Sequence, residues 1–278
     1  MMERSREKNM TDQKTGKICL HVEESGRGEP LILLMGLGAY ARKWEPHREV
    51  YEKEFWCISM DNRGSGRSEA PRMEEYTTEM MAEDTIETMD ALGIASAHIH
   101  GISMGGAIAQ VLAVKWPQRV KSLILTSTFS EADIYFKQGL KILSDNVGKM
   151  EGTAFAELCN YMIYSRKYHN EHKKEIEAAQ KQDEEDPIKM SPYAYRAQCR
   201  ACRNHNLTGE LHKINAPTLI TAGDADLFVS PSLTEKLHKG IKNSKLYLCR
   251  EGGHVHHWEE LEQFNKVTME FLREQKKS

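Results

Sequence analysis

One serine, set between glycines in "SAHIHGISMGGAIAQVLAVKWP", constrains the fold of this 278-residue chain more than any other feature. Residues 97–100 are an apolar run typical of a short buried strand, and residues 107–116 have the pattern of an apolar helix. Only a few residues turn the chain between them, so the backbone must pass close to itself around Ser103. Gly101 and Gly105 allow that approach because they have no Cβ. We therefore expect a strained serine that projects just ahead of a helix N-terminus.

The strand, the sharp turn and the helix together match the Gly-x-Ser-x-Gly nucleophile elbow. A serine hydroxyl is a weak nucleophile at neutral pH, so it needs a base to take its proton and a carboxylate to orient that base. The alternative interpretation is a glycine-rich turn that carries an ordinary serine. The flanking strand and helix favour Ser103 as a catalytic nucleophile.

Composition excludes some function classes. The net charge of −3 shows no bias toward nucleic acid, and the longest nonpolar run, 31–41, is far shorter than a membrane helix. Residues 1–15 are polar, lack the apolar core of a signal peptide and are predicted to be a flexible tail. With 40% hydrophobic residues, the chain suits one domain with an insertion, or two domains.

Six cysteines are scattered along the chain, without a dense framework. We therefore expect reduced thiols and a cytoplasmic protein. Cys199, Cys202 and His205 could ligate a metal, but no second ligand pair stands at a known spacing. Their three-residue steps also fit one face of a helix. The sequence predicts no metal site.

Short apolar strands alternate with amphipathic helices over residues 16–128 and 213–278. This alternation predicts an α/β fold with a mostly parallel sheet covered by helices on both faces. Residues 129–212 have helical periodicity and almost no strand signal, so we predict an inserted helical cap that closes over the C-terminal edge of the sheet. "ESGRGEP" predicts a hairpin turn between the first two strands. The predicted strands are 17–23, 31–35, 56–60, 97–100, 122–127, 218–222 and 245–248. The predicted helices outside the insertion are 78–92, 106–116, 231–239 and 259–275.

The candidate base lies in the loop after the last predicted strand. His254 follows Gly252 and Gly253 there and precedes a helix. His256 and His257 are close rivals, but they lack the glycine approach. We predict that His254 takes the proton of the serine.

The candidate acid follows strand 218–222. Asp224 and Asp226 both lie there, and either could orient the histidine while the other shapes the turn. Glu131 and Asp133, after strand 122–127, are a more remote alternative.

An oxyanion hole needs two backbone N–H donors aimed at the developing charge. Met104, directly after the serine, should supply one from the positive end of its helix. Leu37 should supply the other, because Gly36 and Gly38 let the loop "LLMGLGAY" approach closely.

Several spaced motifs resemble the α/β-hydrolase superfamily, from about residue 16 to residue 272. "MDNRGSGRSEAP" is similar to its Asp-x-Arg-Gly-x-Gly-x-Ser loop, and "GGHVHHWEELEQFN" to its Gly-His ending. "GDADLFVSP" is similar to its acid loop, in which the acid stands three residues after Gly223. The resemblance therefore implies Asp226 rather than Asp224. No metal or cofactor is implied.

Within the superfamily, residues 195–220 resemble the end of the cap in 3-oxoadipate enol-lactonases and related small-ester hydrolases. Met35 departs from the usual His-Gly of the oxyanion loop, and Ser103 excludes relatives that use aspartate as nucleophile. The predicted helix before the acid loop also carries three arginines, and our hypothesis is that at least one binds a substrate carboxylate. They could instead be solvated or pair with the acidic residues 183–186. The arginines are Arg196, Arg200 and Arg203.

We therefore predict a cytoplasmic serine hydrolase that cleaves a small carboxylic ester or lactone through an acyl-enzyme. Carbon–carbon, thioester, amide and carbamate hydrolysis on the same triad remain alternatives, as does a ligand-sensing receptor that keeps the triad. We expect a small-molecule substrate and neither a nucleic-acid nor a membrane partner. The chain is compatible with a monomer or a homo-oligomer.

Overall fold

A central sheet dominates the computed structural model, which describes residues 9–15 and 18–276. Within these ranges the sheet has eight strands in the order β1-β2-β4-β3-β5-β6-β7-β8. The strands are β1 Asn9–Thr15, β2 Ile18–Gly26, β3 Glu29–Leu34, β4 Phe55–Met60, β5 Ala97–Ile102, β6 Val120–Thr126, β7 Thr218–Gly223 and β8 Ser244–Cys249. β3 to β8 run parallel, and β2 pairs antiparallel with both β1 and β4. The predicted α/β fold with a mostly parallel sheet is confirmed.

Helices cover both faces of this sheet. They are α1 Glu45–Tyr51, α2 Thr78–Ala91, α3 Met104–Lys115, α4 Ile134–Asn146, α5 Gly152–Ile163, α6 Arg166–Glu171, α7 Lys173–Glu185, α8 Pro192–Asn204, α9 Pro231–Gly240, α10 His256–Glu259 and α11 Leu261–Gln275. Alternate residues of β3 enter two different cores: Ile32 packs in the core that includes α2 and α3, and Leu33 in the core that includes α1 and α11. Such alternation is expected of a strand buried on both faces.

Helices α4 to α8 lie between β6 and β7 in the chain and are called the inserted helices below. Outside residues 129–212, the sequence did not predict α1, nor α10 as a short helix separate from α11. α1 is short and has a proline in its first turn.

Two expectations at the N-terminal edge of the sheet are wrong. β2 and β3 do not form a hairpin, because β4 lies between them and pairs with both. Asn9–Thr15 is a strand rather than a flexible tail, with Asn9 opposite Glu24 in β2. The rest of the predicted tail, 1–8, lies outside the described residues. So do Gly16 and Lys17, where the core and its first strand were predicted to begin.

None of the helices in the described part of the chain is long and apolar enough to cross a membrane.

Candidate active site

The elbow between β5 and α3 is as sharp as the glycines suggest. Ser103 has φ of 54° and ψ of −116°, in the left-handed half of backbone space where L-residues are strained. A Cβ on Gly101 would lie 2.2 Å from the Gly105 carbonyl oxygen, and one on Gly105 would lie 2.0 Å from that of Leu34. The two glycines are therefore required by the close approach of three backbone segments.

The end of β6 fixes this elbow. The Ser103 N–H donates to the Thr126 carbonyl at 2.8 Å, and the Thr128 hydroxyl donates to the Ser103 carbonyl at 2.7 Å. The Ser103 side-chain hydroxyl makes no hydrogen bond to any residue that the structure describes, and only 5% of the residue is exposed. The serine is thus held by its backbone while its hydroxyl stays unengaged.

His254 and Asp226 are joined by a hydrogen bond. His254 Nδ1 lies 2.8 Å from Asp226 Oδ2, and both residues are buried. The other carboxylate oxygen, Oδ1, accepts the backbone N–H groups of Phe228 and Val229, each at 2.8 Å. The Phe228 ring also meets the imidazole edge-on, with 5.3 Å between centroids. Asp226 is therefore locked in an orientation that fixes the histidine ring.

The other three candidate acids make contacts elsewhere and do not reach His254. Asp224 Oδ1 accepts the Glu251 N–H at 2.6 Å and so shapes the loop that leads to the histidine. Asp133 caps α4 by accepting the Phe136 N–H, and Glu131 pairs with Lys236. Of the four candidate acids, it is Asp226 that the structure brings to His254.

Ser127 links the serine and histidine segments, and sequence reasoning missed it. Its φ is 46°, and its hydroxyl donates to the His254 carbonyl at 2.6 Å. Its neighbours Thr126 and Thr128 bond the Ser103 backbone, so the end of β6 holds both segments. The available signal was weak: "STFS" is a run rich in hydroxyls directly after an apolar strand.

Two free backbone donors lie beside the serine. Among the described residues, neither the Leu37 nor the Met104 N–H donates a hydrogen bond. Met104 is the first residue of α3, where N–H groups have no partner within the helix. A Cβ on Gly36, next to Leu37, would lie 3.1 Å from the Ser103 Cβ, so the two loops are in contact. Free N–H groups close to the nucleophile are one requirement of an oxyanion hole.

The rival histidines belong to a buried cluster with His47 and His100. His257 Nδ1 lies 3.0 Å from His47 Nε2, and His256 bonds the hydroxyls of Ser127 and Thr221. Burial lowers the pKa of His47 to about 4 and that of His256 to about 3. Burial also lowers the pKa values of His100 and His257 well below the ordinary range. All four side chains are therefore neutral at neutral pH.

This cluster predicts acid-sensitive stability. Histidines of the unfolded chain titrate near pH 6.5, so below that pH the unfolded state binds more protons than the folded state and the free energy of unfolding falls. One pH unit below 6.5, each buried neutral histidine costs about 1.4 kcal/mol. We expect Tm to be about 10 °C lower at about pH 5.5 than at about pH 7.5. His100→Leu should reduce this difference, and a Tm that does not change over this range would contradict the prediction.

The three arginines of α8 point elsewhere. Gln198 of this helix reaches the candidate site: its side-chain oxygen accepts the Gly38 N–H at 3.0 Å. At about 100° per residue, Arg196 and Arg200 lie about 160° around the helix from Gln198, and Arg203 about 140°. Arg196 instead donates to the Val147 carbonyl, and Arg200 to that of Glu74.

This placement argues against the predicted carboxylate site on Arg196, Arg200 and Arg203. Of the two alternatives, solvation fits Arg203, which is exposed, whereas none of the three arginines pairs with the acidic residues 183–186 in the described part of the chain. In that run Asp183 pairs with Lys43, and Asp186 bonds Tyr40 and lies 3.6 Å from Arg42.

The three residues that could have ligated a metal, Cys199, Cys202 and His205, are buried in the core. Cys199 and Cys202 are buried free thiols, and His205 bonds the Thr78 hydroxyl at 2.9 Å. In the described part of the chain, no group of three or more His, Cys, Asp or Glu side chains is arranged to hold a metal ion.

The strand order and the strained serine at the end of β5 define the class: this is an α/β-hydrolase fold. The sequence profile of the family with the alpha/beta hydrolase fold matches residues 29–261, so the chain belongs to that family. The resemblance found in the sequence motifs is thereby confirmed.

Particular relatives are similar over nearly the whole chain. A protein of Variovorax paradoxus named "Putative carbamate hydrolase RutD" is 30% identical over 91% of this chain and 96% of its own. The 2-hydroxy-6-oxo-6-phenylhexa-2,4-dienoate hydrolase of Comamonas testosteroni is 27% identical over 96% and 94%. The structure of the enol-lactonase from Burkholderia xenovorans has a TM-score of 0.84 at 22% identity, over 95% of this chain and all of that one, and shows the same fold.

Proposed function

We propose that the protein is a serine hydrolase that cleaves small carboxylic esters or lactones. The observation that carries the proposal is the Asp226–His254 hydrogen bond at 2.8 Å, together with a strained serine whose segment is held by the same end of β6 as the histidine loop. The family supports a hydrolase, and relatives named for carbamate and dienoate substrates leave the cleaved bond open.

In this mechanism His254 takes the proton of the Ser103 hydroxyl as its oxygen attacks the substrate carbonyl. Asp226 holds the imidazole and stabilises its protonated form. The N–H groups of Leu37 and Met104 stabilise the oxyanion. His254 then protonates the leaving alcohol, and water that it activates releases the acid. The hydrogen bond between Ser103 and His254 would form when substrate binds, since catalytic hydrogen bonds are often long or absent until then.

The inserted helices act as a cap in this proposal. Ser103 is 5% and His254 6% exposed, so both lie under covering structure. Tyr195 of α8 stands over the oxyanion loop, where a Cβ on Gly38 would lie 2.7 Å from its ring. The Phe155 ring of α5 packs edge-on against Tyr195 at 5.6 Å. These two rings are uncharged and would favour a neutral, apolar acyl group.

A panel of p-nitrophenyl esters, lactones and an aryl carbamate tests the proposed reaction. Rapid, repeated turnover of one ester or lactone supports it. Preference for the carbamate would favour the activity for which the relative from Variovorax paradoxus is named. Ligand-induced stabilisation without turnover would favour a receptor.

A neutral acyl pocket predicts discrimination by charge. We compare a p-nitrophenyl ester that ends in a carboxylate with its methyl-capped analogue. Because a buried anion without a cationic partner is costly, we expect kcat/KM to be at least about tenfold higher for the neutral analogue. Arg196→Gln and Arg200→Gln should affect both substrates equally. A preference for the carboxylate that disappears in Arg196→Gln would restore the anion-binding hypothesis.

A further inference from the structure

Glu259, at the end of α10, bridges two segments that are far apart in the chain. Its Oε1 accepts the Ser165 N–H at 2.6 Å, and its Oε2 accepts the Gly253 N–H at 2.9 Å. Ser165 belongs to the junction between α5 and α6, and Gly253 directly precedes His254. A single carboxylate therefore joins the inserted helices to the loop that carries the candidate base.

The two segments also touch directly. The Val255 N–H donates to the Ile163 carbonyl at 3.2 Å. A Cβ on Gly253 would lie 2.5 Å from the Ser165 nitrogen and 2.6 Å from the Ile163 oxygen. Because no side chain fits between them, a displacement of this junction must move the residues on both sides of His254.

The opposite side of the histidine loop is fixed to the sheet. The Ser127 hydroxyl donates a hydrogen bond to the His254 carbonyl, and the Asp226 carboxylate is hydrogen-bonded to the His254 ring. His254 therefore has one set of anchors on the sheet and another on the inserted helices, and the second set includes the carboxylate of Glu259. The nucleophile is nearly closed off, and any motion of the inserted helices that admits substrate would reach the histidine loop through these contacts.

We infer that Glu259 is a positioning residue that couples the placement of His254 to the inserted helices. The inference rests on the proposed function. A carboxylate suits this role because each of its oxygens accepts one N–H, and bonds to an ionised acceptor are short and strong. A glutamine has one acceptor oxygen, so its amide group would confront one of the two donors.

The test compares Glu259→Gln with Glu260→Gln, which removes a charge from the exposed neighbour. Glu260 makes a long, solvent-exposed ion pair of 3.8 Å with Lys167 of α6, and such pairs contribute little. Using a neutral p-nitrophenyl ester, we measure KM and kcat. The kcat is calculated per active site, and active sites are counted by fluorophosphonate labelling. Glu259→Gln should lower kcat about 10- to 100-fold, because small misplacements of catalytic groups have effects of this size. KM should stay within about twofold, and Glu260→Gln should match the wild type in both constants.

Gly253→Ala tests the same contact independently if Glu259→Gln folds poorly. Its new Cβ forces the two segments apart and should also lower kcat with little change in KM. A lower Tm with unchanged kcat per labelled site in both variants would give Glu259 a merely structural role and overturn the inference.

The proposed function and the inference fail in different ways. If the wild type cleaves no ester, the ester proposal fails, and the rate of fluorophosphonate labelling becomes the readout. Slower labelling in Glu259→Gln than in Glu260→Gln then supports the inference, and equal rates overturn it. A wild type that is neither active nor labelled overturns both.

Discussion

Ser103→Ala is expected to abolish hydrolysis while leaving the fold intact. Loss of the activated serine in a well-studied serine protease costs on the order of 10⁶ in kcat. The fold should survive because alanine keeps the Cβ, so a φ of 54° is no more strained than in the native chain. The backbone bonds to Thr126 and from Thr128 do not use the serine hydroxyl.

A fluorophosphonate probe provides the direct measurement. It should label the wild type and the control Ser232→Ala, which changes an exposed serine of α9, but not Ser103→Ala. Far-ultraviolet circular dichroism and Tm should be the same for all three proteins. Labelling at another residue, or undiminished turnover by Ser103→Ala, would contradict a serine-hydrolase mechanism.

The parallel core of the fold was predictable because its signals are local. β5 is apolar and ends at glycines, and α3 starts directly after it, so strand, turn and helix were visible within about twenty residues. The choice of neighbouring strand is not a local property. Gly26 and Gly28 both have positive φ, as a turn requires, but they pack against the backbone of residues 52, 54 and 55, just before and at the start of β4. The hairpin prediction therefore described the turn correctly and its pairing incorrectly.

In the candidate site, too, residues with local sequence signals were predictable and residues that depend on distant contacts were not. Ser103, Asp226 and His254 each follow a strand, and the carboxyl ends of parallel strands meet at one edge of the sheet. Ser127 and Glu259 act through backbone groups of distant segments, which no spacing reveals. The arginines of α8 show a further limit, because helical periodicity places residues on one face without stating what that face meets. In the structure Gln198, not an arginine, meets the oxyanion loop.

The hydrogen bonds made by Asp224 and Asp226 predict very different effects when each aspartate is replaced by asparagine. In Asp226→Asn, the N–H groups of Phe228 and Val229 require the amide oxygen at the Oδ1 position. The amide nitrogen must then face His254 Nδ1 and donate to it. That donation places the ring proton on Nε2, so the nitrogen turned toward Ser103 can no longer accept its proton. An asparagine at the equivalent acid of trypsin lowers kcat about 10⁴-fold for this reason, and we expect a similar loss here.

Asp224→Asn is the matched control, because it makes the same change two residues away. Asp224 accepts one backbone N–H, from Glu251, and an amide oxygen can accept it as well. We therefore expect kcat to fall by less than about tenfold and Tm to stay close to the wild type. Steady-state kinetics on one neutral ester decides between the two positions. Should Asp224→Asn be the crippling change, or Asp226→Asn retain more than a few per cent of kcat, the hydrogen bond between Asp226 and His254 would not be the one that orients the base.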